Sequence, residues 1–394
     1  MLWLCIQFPK LSLETLTRAL TSGERSQALA IVENHIIVQS NNAALEFGIS
    51  PGLSTRSARI RCPNLQMLQR HKEREQRQLE ALAQWGHSFT PMVSLKAASP
   101  EEGSHPPRLY LELSDCLKTH GGLRTLLNQL EKELIEIGIS YYLGLGHSPS
   151  AALLLSQLAE HRQWLQQTNA PPTTGQCKQW IGHAPCKLLE CDNQTIEKLY
   201  KYGYKRIGQL LPAPLSELEA HFGCAFIDYL AQLTGSLQKP VSYQQLPAHL
   251  NNELYFPKAF SKSEQLLFPC IRLLQEPSQQ LQRCGDSTQQ THCQLKGEMG
   301  QMTSFNLELY TKFEMQELIT QTKFRLDALS FSQPIRLLQL YCSRLPIETQ
   351  EEWGGYHPED VLKDKVIKSQ KLIEKLKNRL GYQTLTSIKF KKNF

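Results

Sequence analysis

Several features are missing from this chain of 394 residues, and each absence excludes a class of protein. No stretch reaches the ~18 consecutive apolar residues of a membrane-spanning helix. The N-terminal apolar run from Leu2 to Phe8 is short and has no basic lead, so it is interpreted as a buried first strand rather than a secretory signal. No Walker P-loop, Gly-x-Ser-x-Gly or His-Glu-x-x-His motif occurs, which leaves three large enzyme classes without support.

The chain also lacks paired cysteines and a strong charge of one sign. Its eleven cysteines include no CxxC pair, and the spacings within Cys177, Cys186 and Cys191 do not suit a zinc site. We expect reduced, structural thiols in a cytoplasmic protein. Lys and Arg number 43 against 37 Asp and Glu, a formal net charge of +6, which permits nucleic-acid binding without requiring it.

The length predicts two to four domains, at roughly 100–200 residues each. Strand and helix patterns alternate over the first 165 residues, and Lys187–Leu233 is typical of a small all-helical unit. A polar linker follows, and a β-α-β-β-α-β pattern begins with Glu253–Phe256. Its first helix, Leu266–Leu281, contains Pro277, which predicts a kink or a break. We therefore predict an α+β multidomain protein.

Seven segments, in chain order, resemble segments of the Y-family of translesion DNA polymerases. They are MLWLCIQFPKLSLE (1–14, first palm strand), NNAALEFGISPGLSTRSARIRCPNL (41–65, fingers), FTPMVSL (89–95) and LELSDCLKTHGG (111–122) around the family's acidic pair, LGLGHSPSAALLLSQL (143–158, later palm strand and helix), 188–211 (thumb helix-hairpin-helix) and IRLLQLYCSRL (335–345, last little-finger strand). The series covers about residues 1–345. It is most similar to the ImuB-like, catalytically degenerate branch of the family.

The resemblance implies a right-hand polymerase architecture with a short helical C-terminal tail. The implied bounds are 1–20 and 78–165 for the palm, 21–77 for the fingers, 166–234 for the helical thumb, 235–252 for a linker, 253–343 for the little finger and 344–394 for the tail. Members of this branch usually continue further, so a short variant and a truncated product are both considered.

The metal site of the family requires acidic side chains that hold two metal ions. By resemblance, Cys5 stands where the first ligand, an Asp, is expected, and Gln7 stands at the second Asp of that strand. The adjacent acidic pair corresponds to Lys96-Ala97 when aligned on Ser94, or to Pro107-Arg108 when aligned on the strand around Tyr110. Neither alignment supplies a carboxylate, so we predict no catalytic residues and no metal. The carboxylates open to an active enzyme with an atypical Mg²⁺ site are Glu101, Glu102 and Glu112.

The nucleotide site is altered in the same way. The resemblance places Asn42 and Leu45 where the fingers of the family carry a triphosphate-binding Tyr and Arg. The palm Lys that contacts the triphosphate corresponds to Gln163 or Trp164, and Lys10 stands at the aromatic sugar gate. The joint loss of these groups predicts that the nucleotide site is degenerate.

Basic residues remain where the family contacts DNA. The DNA-binding candidates are Lys198, Lys201, Lys205 and Arg206 in the thumb, and Lys296, Lys312 and Arg336 in the little finger. The thumb hairpin at Cys191-Asp192-Asn193 lacks the usual glycines, and Asp192 is expected to repel phosphate. A solvated basic face is the alternative interpretation for the thumb. Binding would be independent of DNA sequence and sensitive to salt.

A degenerate sliding-clamp motif follows the little finger. In Gln350-Glu351-Glu352-Trp353-Gly354 the candidates for clamp contact are Gln350 and Trp353, although the central Leu of such motifs is absent. The alternative is a surface Trp that packs on the basic C-terminal helix predicted within 363–392. That helix is expected to contact DNA, a partner or the body of the chain.

These features predict a non-catalytic, polymerase-like subunit of a bacterial mutasome, located in the cytoplasm near the nucleoid. The partners that the resemblance implies are primer-template or damaged DNA, the beta sliding clamp, an ImuA-like RecA-related protein and an error-prone C-family DNA polymerase, with no membrane. Two alternatives stay open: an active translesion polymerase with an unusual metal site, and an interaction protein that does not bind DNA.

Overall fold

The structure is a computed structural model that describes residues 1–18, 20–97, 106–245, 249–283, 286–287, 290–308, 315–329, 331, 333–343 and 345–346. The chain divides into two compact units, residues 1–257 and 258–394. The positions Glu101, Glu102, Lys312, Gln350 and Trp353 lie outside the described residues.

The first unit alternates strands and helices before it becomes helical. Its strands are β1 (Trp3–Gln7), β2 (Leu29–Glu33), β3 (Ile36–Ser40), β4 (Gln66–Gln69), β5 (Val93–Lys96), β6 (Arg108–Glu112) and β7 (Tyr142–Gly146). Its helices are α1 (Leu11–Thr17), α2 (Ser22–Arg25), α3 (Asn42–Glu46), α4 (Thr55–Arg61), α5 (Lys72–Gly86), α6 (Leu123–Ile137), α7 (Pro149–Ser156), α8 (Ala159–Gln167), α9 (Thr174–His183), α10 (Asn193–Lys201), α11 (Leu215–Phe222) and α12 (Cys224–Thr234). Two 3-10 turns, Cys186–Leu188 and Ile207–Gln209, flank α10.

The central sheet has the strand order β5-β6-β1-β7, with antiparallel pairing throughout. Every residue of β1 is buried, because both faces of the sheet are covered. Leu4 and Ile6 face the large core that α5 and α6 complete, whereas Trp3 and Cys5 face α7. This second face is the one that carries the expected metal-ligand positions, since side chains alternate along a strand.

Helix α7 packs so closely on that face that its backbone contacts the backbone of β7. This close approach is possible because β7 contains glycine. A Cβ atom added to Gly144 would lie 2.1 Å from the carbonyl oxygen of Ala152 and 2.2 Å from the nitrogen of Ser156. Gly144 is the register partner of Cys5, so the close approach brings α7 over the Cys5 side chain. Any side chain at residue 144 would push the helix off the sheet.

A second, three-stranded sheet has the order β3-β2-β4. Its hairpin turns at Asn34 and His35, both in the left-handed region with φ of 50° and 61°. The edge strand β4 runs parallel to β2 and was not predicted, because its four residues do not alternate between polar and apolar types. Helices α3 and α4 cover one face of this sheet, where Ala44 and Ala58 are buried.

Helices α9 to α12 form the predicted all-helical region around a core of their own. The closest cysteine group packs in this core. Cys177 and Cys186 are buried and Cys191 is half-buried. Burial raises the pKa of Cys177 and Cys186 to about 11 and that of Cys191 to about 12, so all three thiols stay protonated at neutral pH.

The second unit contains the β-α-β-β-α-β order that the sequence predicted, with two additional short strands that pair with each other. Its elements are β8 (His249–Phe260), within which the unit boundary falls, α13 (Ser263–Arg283), β9 (Asp286–Ser287), β10 (Gln290–Gly297), β11 (Met302–Glu308), α14 (Met315–Asp327), β12 (Ile335–Ser343) and β13 (Leu345–Pro346). The main sheet has the order β11-β10-β12-β8. The predicted split at Pro277 does not occur, since α13 continues through this residue, and Leu266 and Leu273 in its first half are buried.

The predicted α+β fold class is thus confirmed. In the part of the chain that the structure describes, no helix is both long and apolar enough to cross a membrane.

Candidate functional site

The positions expected to hold metal ligands meet at one end of the central sheet. Arg108 is the register partner of Lys96 on one side and of Gln7 on the other. The two alignments that the sequence left open, on Lys96-Ala97 and on Pro107-Arg108, therefore describe one place in the fold. The pair of carboxylates expected there is replaced by two cations.

A glutamate from the helical region supplies the counter-charge. Glu190 follows the 3-10 turn Cys186–Leu188, and its Oε1 lies 3.4 Å from Lys96 Nζ. The same oxygen accepts a hydrogen bond from Arg108 Nη2. The Arg108 side chain is only 2% exposed and that of Glu190 14%, so this ion pair is largely removed from water. We name Lys96, Glu190 and Arg108 the ionic triad.

The surroundings of the ionic triad hold its geometry. Arg108 Nε donates to Tyr110 Oη at 2.9 Å, and the backbone N–H of Glu190 donates to Tyr229 Oη at 3.0 Å. Burial raises the pKa of both tyrosines, which stay neutral. Burial opposes the charge on Arg108, but the oxygens of Tyr110 and Glu190 outweigh it and keep the pKa of the guanidinium above its ordinary value.

Cys5 lies on the same face, fully buried against Ala152 and Leu153 of α7. Burial raises the pKa of its thiol far above the usual range, even though Arg108 is near and Ser156 shares a hydrogen bond with it. The neutral thiol is a poor ligand for a hard cation. Gln7 is 2% exposed, and its Nε2 has no hydrogen-bond acceptor among the described residues.

These residues do not fit a magnesium site. A divalent cation here would meet two positive side chains, a protonated thiol and an amide N–H donor, whereas Mg²⁺ prefers carboxylate oxygens. Within the described ranges no three His, Cys, Asp or Glu side chains converge as metal ligands. Glu112 shares the sheet face but accepts hydrogen bonds from the Leu2 N–H at 3.3 Å and from Ser114 Oγ at 2.5 Å.

An open cleft of about 960 Å³ lies beside the ionic triad. It is bordered by Trp3, Lys96 and the segment 235–243, which the sequence predicted as a linker. Tyr243 stacks on Trp3 with ring centroids 6.3 Å apart and planes 5° from parallel. The N–H of Gln244 donates to the carbonyl oxygen of Val93 at 2.7 Å. The linker therefore docks along the edge strand β5 instead of crossing solvent.

The degenerate nucleotide positions are used for other contacts. Lys10 Nζ donates to Asn42 Oδ1 at 3.0 Å, so two of the altered positions bind each other. Leu45 is 45% exposed, and Gln163 is exposed as well. Trp164 packs into an aromatic cluster, 4.9 Å from Trp180 between ring centroids.

His161 belongs to that aromatic cluster and is fully buried. Its Nε2 accepts a hydrogen bond from the Leu145 N–H at 3.0 Å, so the proton of the neutral ring is on Nδ1. The His161 and Trp180 rings pack edge to face, with ring centroids 4.8 Å apart. Burial lowers the pKa of His161 to about 3. This histidine joins α8 to α9 and has a structural role.

Four residues predicted to contact DNA lie on α10 and on the turn that follows it. Pro185 and Arg206 form an antiparallel bridge, which brings the turn after α10 beside the start of the first 3-10 turn. The four predicted residues are all exposed and form no ion pair with any described side chain; they are Lys198, Lys201, Lys205 and Arg206. We name these four residues the hairpin surface. Tyr200 and Tyr202, 41% and 53% exposed, lie among them.

The backbone of this hairpin is already hydrogen-bonded. Asp192 caps α10, because its Oδ2 accepts a hydrogen bond from the Thr195 N–H at 3.1 Å. The Thr195 hydroxyl, which donates to Asp192 Oδ1, is the main cause that lowers the pKa of this carboxyl. Gln209 Oε1 accepts from the N–H groups of Lys205 and Arg206 at 2.7 and 3.0 Å. Sequence reasoning assigned Asp192 only a repulsive effect on phosphate and missed this capping role. Side chains, not backbone N–H groups, are left to meet an anion.

Two of the predicted DNA-contact residues in the second unit are described, and both are only half exposed. Lys296 is half-buried on β10. Arg336 pairs with Glu298, with a Nη2 to Oε1 distance of 2.6 Å, so its charge is compensated. The exposed face of the sheet is rich in neutral polar groups such as His292 and Asn306, which hydrogen-bond each other.

Glu190 is the residue that sequence reasoning missed. It lies 94 residues from Lys96 and 82 from Arg108 in the chain, in no recognisable motif. Its neighbours Cys191 and Asp192 drew attention only as a hairpin without glycines. No local pattern could have identified its partners.

A comparison with known protein families finds a match within the first unit. Residues 13–157 match the sequence profile of the impB/mucB/samB family. The resemblance to Y-family proteins is thereby confirmed.

The curated relatives include Protein ImuB from two strains of Caulobacter vibrioides, NA1000 / CB15N and ATCC 19089 / CIP 103742 / CB 15. Each is 24% identical over 219 residues, which covers 56% of this chain and 44% of the relative. The match thus spans less than half the length of those relatives.

Among solved structures, the chain is similar to DinB from Sulfolobus solfataricus, with 11% identity and a TM-score of 0.48. That match covers 88% of this chain and 99% of the other. A ternary complex of Dbh is 12% identical with the same TM-score, and the match covers 88% of this chain and all of that one.

Proposed function

We propose that this protein is a non-catalytic, polymerase-like subunit that holds primer-template DNA during damage-induced mutagenesis. The observation that carries the proposal is the ionic triad. Where a polymerase of this family needs metal-binding carboxylates, this chain has Lys96 and Arg108, and their charge is compensated by Glu190.

The physical reason is electrostatic. Phosphoryl transfer depends on metal ions that neutralise the charge developing on the phosphate oxygens. A site built from two cations repels those ions, and Arg108 cannot give up its proton because arginine is always charged in proteins. The buried thiol of Cys5 and the orphaned amide of Gln7 add no anionic oxygen. These contacts support a role in binding rather than in nucleotide addition.

DNA would be held through the hairpin surface. Its four exposed cations are not neutralised by described residues, and two exposed tyrosines lie among them. Contacts from lysine and arginine to phosphates release counterions, so such binding is independent of sequence and weakens steeply with salt. Arg336 is the weaker candidate because Glu298 already pairs with it.

The partners belong to the same proposal. Similarity to ImuB over 219 residues supports a bacterial mutasome role, with the beta sliding clamp, an ImuA-like RecA-related protein and an error-prone C-family DNA polymerase as partners in the cytoplasm. Clamp contact through Gln350 and Trp353 stays a prediction from the sequence. Co-purification from damaged cells, with and without Trp353→Ala, tests it: equal clamp recovery would exclude that motif.

The catalytic part is tested by primer extension with the full chain, in Mg²⁺ and separately in Mn²⁺. We expect no templated nucleotide addition. Templated addition that disappears when Glu101, Glu102 or Glu112 is changed to Gln would overturn the proposal and establish the alternative of an active polymerase with an atypical site.

The DNA-binding part is tested by fluorescence anisotropy with a labelled primer-template duplex at several salt concentrations. We expect affinity that falls linearly on a log–log plot of binding constant against salt. Absence of salt-dependent binding would favour an interaction protein that does not bind DNA.

A further inference from the structure

A second surface of the first unit lies away from the ionic triad, on the three-stranded sheet. An open groove of about 870 Å³ runs between α4 and β4. Its lining includes four aliphatic side chains and two arginines: Val32, Arg56, Arg59, Ile60, Met67 and Leu68. We name these six residues the fingers groove.

The charge of the fingers groove is one-sided. Arg56 and Arg59 are exposed and form no hydrogen bond or ion pair with any described residue. The nearest acidic side chain on the same hairpin, Glu33, is already held by Arg70 at 2.8 Å and by Lys72 at 2.7 Å. Those contacts lower the pKa of Glu33, so it stays ionised and committed to them. The groove therefore attracts an acidic occupant.

The strand at the border of the groove is open. β4 is an edge strand, paired only with β2 in the sheet order. The N–H groups of Gln66 and Arg70 point to β2, where they bond the carbonyl oxygens of Ala28 and Val32. Because direction alternates along a strand, the N–H groups of Met67 and Gln69 point the other way. The groove contacts three successive residues, 67 to 69. Because successive side chains point to opposite faces of a sheet, this contact indicates that the groove follows the edge of β4 rather than one face of the sheet.

The apolar part of the groove decides between a peptide and a nucleic acid. The apolar residues that line it are aliphatic, and Ile60 is 76% exposed at its border. Single-stranded nucleic acid is usually held by aromatic platforms on which bases stack, and no Phe, Tyr or Trp lines this groove. An extended peptide gains both from apolar pockets and from the open edge of a sheet.

One backbone feature agrees with a binding role. His35 borders the groove with φ of 61°, a conformation in which glycine costs least. A hairpin turn built for stability alone favours glycine at this position. His35 instead places an imidazole at the groove.

We propose that the fingers groove docks an extended acidic segment of a partner protein, which adds to β4 as a further strand and places its carboxylates against Arg56 and Arg59. The inference is independent of DNA binding, since it uses none of the hairpin surface. The partner is defined by its chemistry: alternating acidic and aliphatic residues.

The test uses the full chain and a fluorescent peptide of alternating Glu and Val, with a Gln-Val peptide of equal length as the neutral probe. We expect the Glu-Val peptide to bind more tightly, and Arg56→Glu/Arg59→Glu to weaken it by at least about tenfold, since like charges then face each other. The matched control, Lys118→Glu/Lys132→Glu, makes the same charge change at exposed residues elsewhere and should shift affinity less than twofold.

Two further variants separate docking from general attraction. Ile60→Ser should weaken the Glu-Val peptide several-fold without a change of charge. His35→Gly should weaken it while leaving the melting temperature equal or higher. Equal loss in the arginine variant and its control would overturn the proposal. So would tighter binding of single-stranded oligo-dT that depends on Arg56 and Arg59, or self-association of the chain that those two changes abolish.

Discussion

Two regions of the first unit carry clustered positive charge, which is compensated and buried in one region and exposed in the other. In the ionic triad, Lys96 and Arg108 are compensated by Glu190 and largely withdrawn from water. On the hairpin surface, four cations are exposed and uncompensated by described residues. The difference indicates where an external anion is expected. A site that supplies its own counter-charge is closed to a ligand, whereas a site that lacks one is available.

The burial of Arg108 also explains why a residue of the helical region contributes to this site. A buried arginine without a partner costs several kcal/mol. Arg108 is tolerated because Glu190 arrives from the loop before α10 and because Tyr110 accepts a second hydrogen bond. The sheet and the helical region are thus coupled through Glu190, which pairs with both Lys96 and Arg108.

The largest expected effect comes from breaking the compensated region. Glu190→Lys puts a third cation against buried Arg108 and should lower the free energy of unfolding by about 3–5 kcal/mol. Glu190→Gln, which keeps a hydrogen-bonding oxygen, should cost less. Urea unfolding measures both. The matched control is Glu197→Lys on α10, where the side chain is exposed and the expected change stays within about 0.5 kcal/mol. Equal free energies of unfolding for Glu190→Lys and Glu197→Lys would show that the ionic triad does not stabilise the fold.

The second effect concerns the uncompensated region. Changing all four residues of the hairpin surface to Gln should weaken primer-template binding by about 100-fold, at ~0.7 kcal/mol per cation. The slope of log affinity against log salt should fall by about 0.9 for each phosphate contact removed. Stability should not change. Lys198→Gln/Lys201→Gln is matched by Lys118→Gln/Lys132→Gln, two exposed lysines elsewhere. Equal losses in those two pairs would mean that only net charge matters.

The third effect is a pH dependence in the aromatic cluster between α8 and α9. His161 has a folded pKa of about 3 against an ordinary value of 6.5. The unfolded chain therefore takes up a proton below pH 6.5 while the folded chain does not, so stability is full above 6.5 and falls as the pH drops toward 3. The expected slope is about 1.4 kcal/mol per pH unit.

Urea unfolding at pH 7.5, 6 and 5 measures this slope. His161→Gln should flatten it at some cost in stability at pH 7.5, whereas His183→Gln, at an exposed histidine, should leave it unchanged. An unaltered slope in the His161 variant would assign the pH dependence to other groups.

The smallest effect sharpens the contrast within the hairpin itself. Asp192→Ala removes the cap of α10 and should cost about 1 kcal/mol. It also removes a negative charge beside the hairpin surface, so primer-template affinity should rise a few-fold. Asp192→Asn is the matched variant, because Asn caps helices about as well as Asp. It should raise affinity with little loss of stability, and a fall in affinity would show that Asp192 assists binding.

Much of the fold could be predicted from local patterns. The apolar run of β1, the alternating Leu-Tyr-Leu of β6 and the amphipathic α6 are each specified by their own residues, because burial repeats every two or every 3.6 residues. The short edge strand β4 was missed since it has too few residues to show a period. The continuity of α13 through Pro277 was missed because a proline locally favours a break, whereas the packing that buries the first half of the helix is not local.

Part of the candidate site could likewise be predicted from the sequence, and part could not. Residue types at Cys5, Lys96 and Arg108 were enough to predict the absence of carboxylates, since that statement concerns the residues alone. The hairpin surface was predicted because its cations are close in sequence. The ion-pair partner of Arg108 was not predicted, because Glu190 lies 82 residues away in the chain and only the packing of the helical region against the sheet brings it near.

The sequence by itself determined which chemical groups exist: a neutral thiol and two cations at the expected metal positions, and basic residues retained in the hairpin. The tertiary structure decided which charges are satisfied. Charge compensation depends on distance and burial, both properties of how separate segments pack, and the same residue type can be closed in one place and available in another. Arg108 and Arg206 are both arginines, but only the second is free to meet an anion from outside.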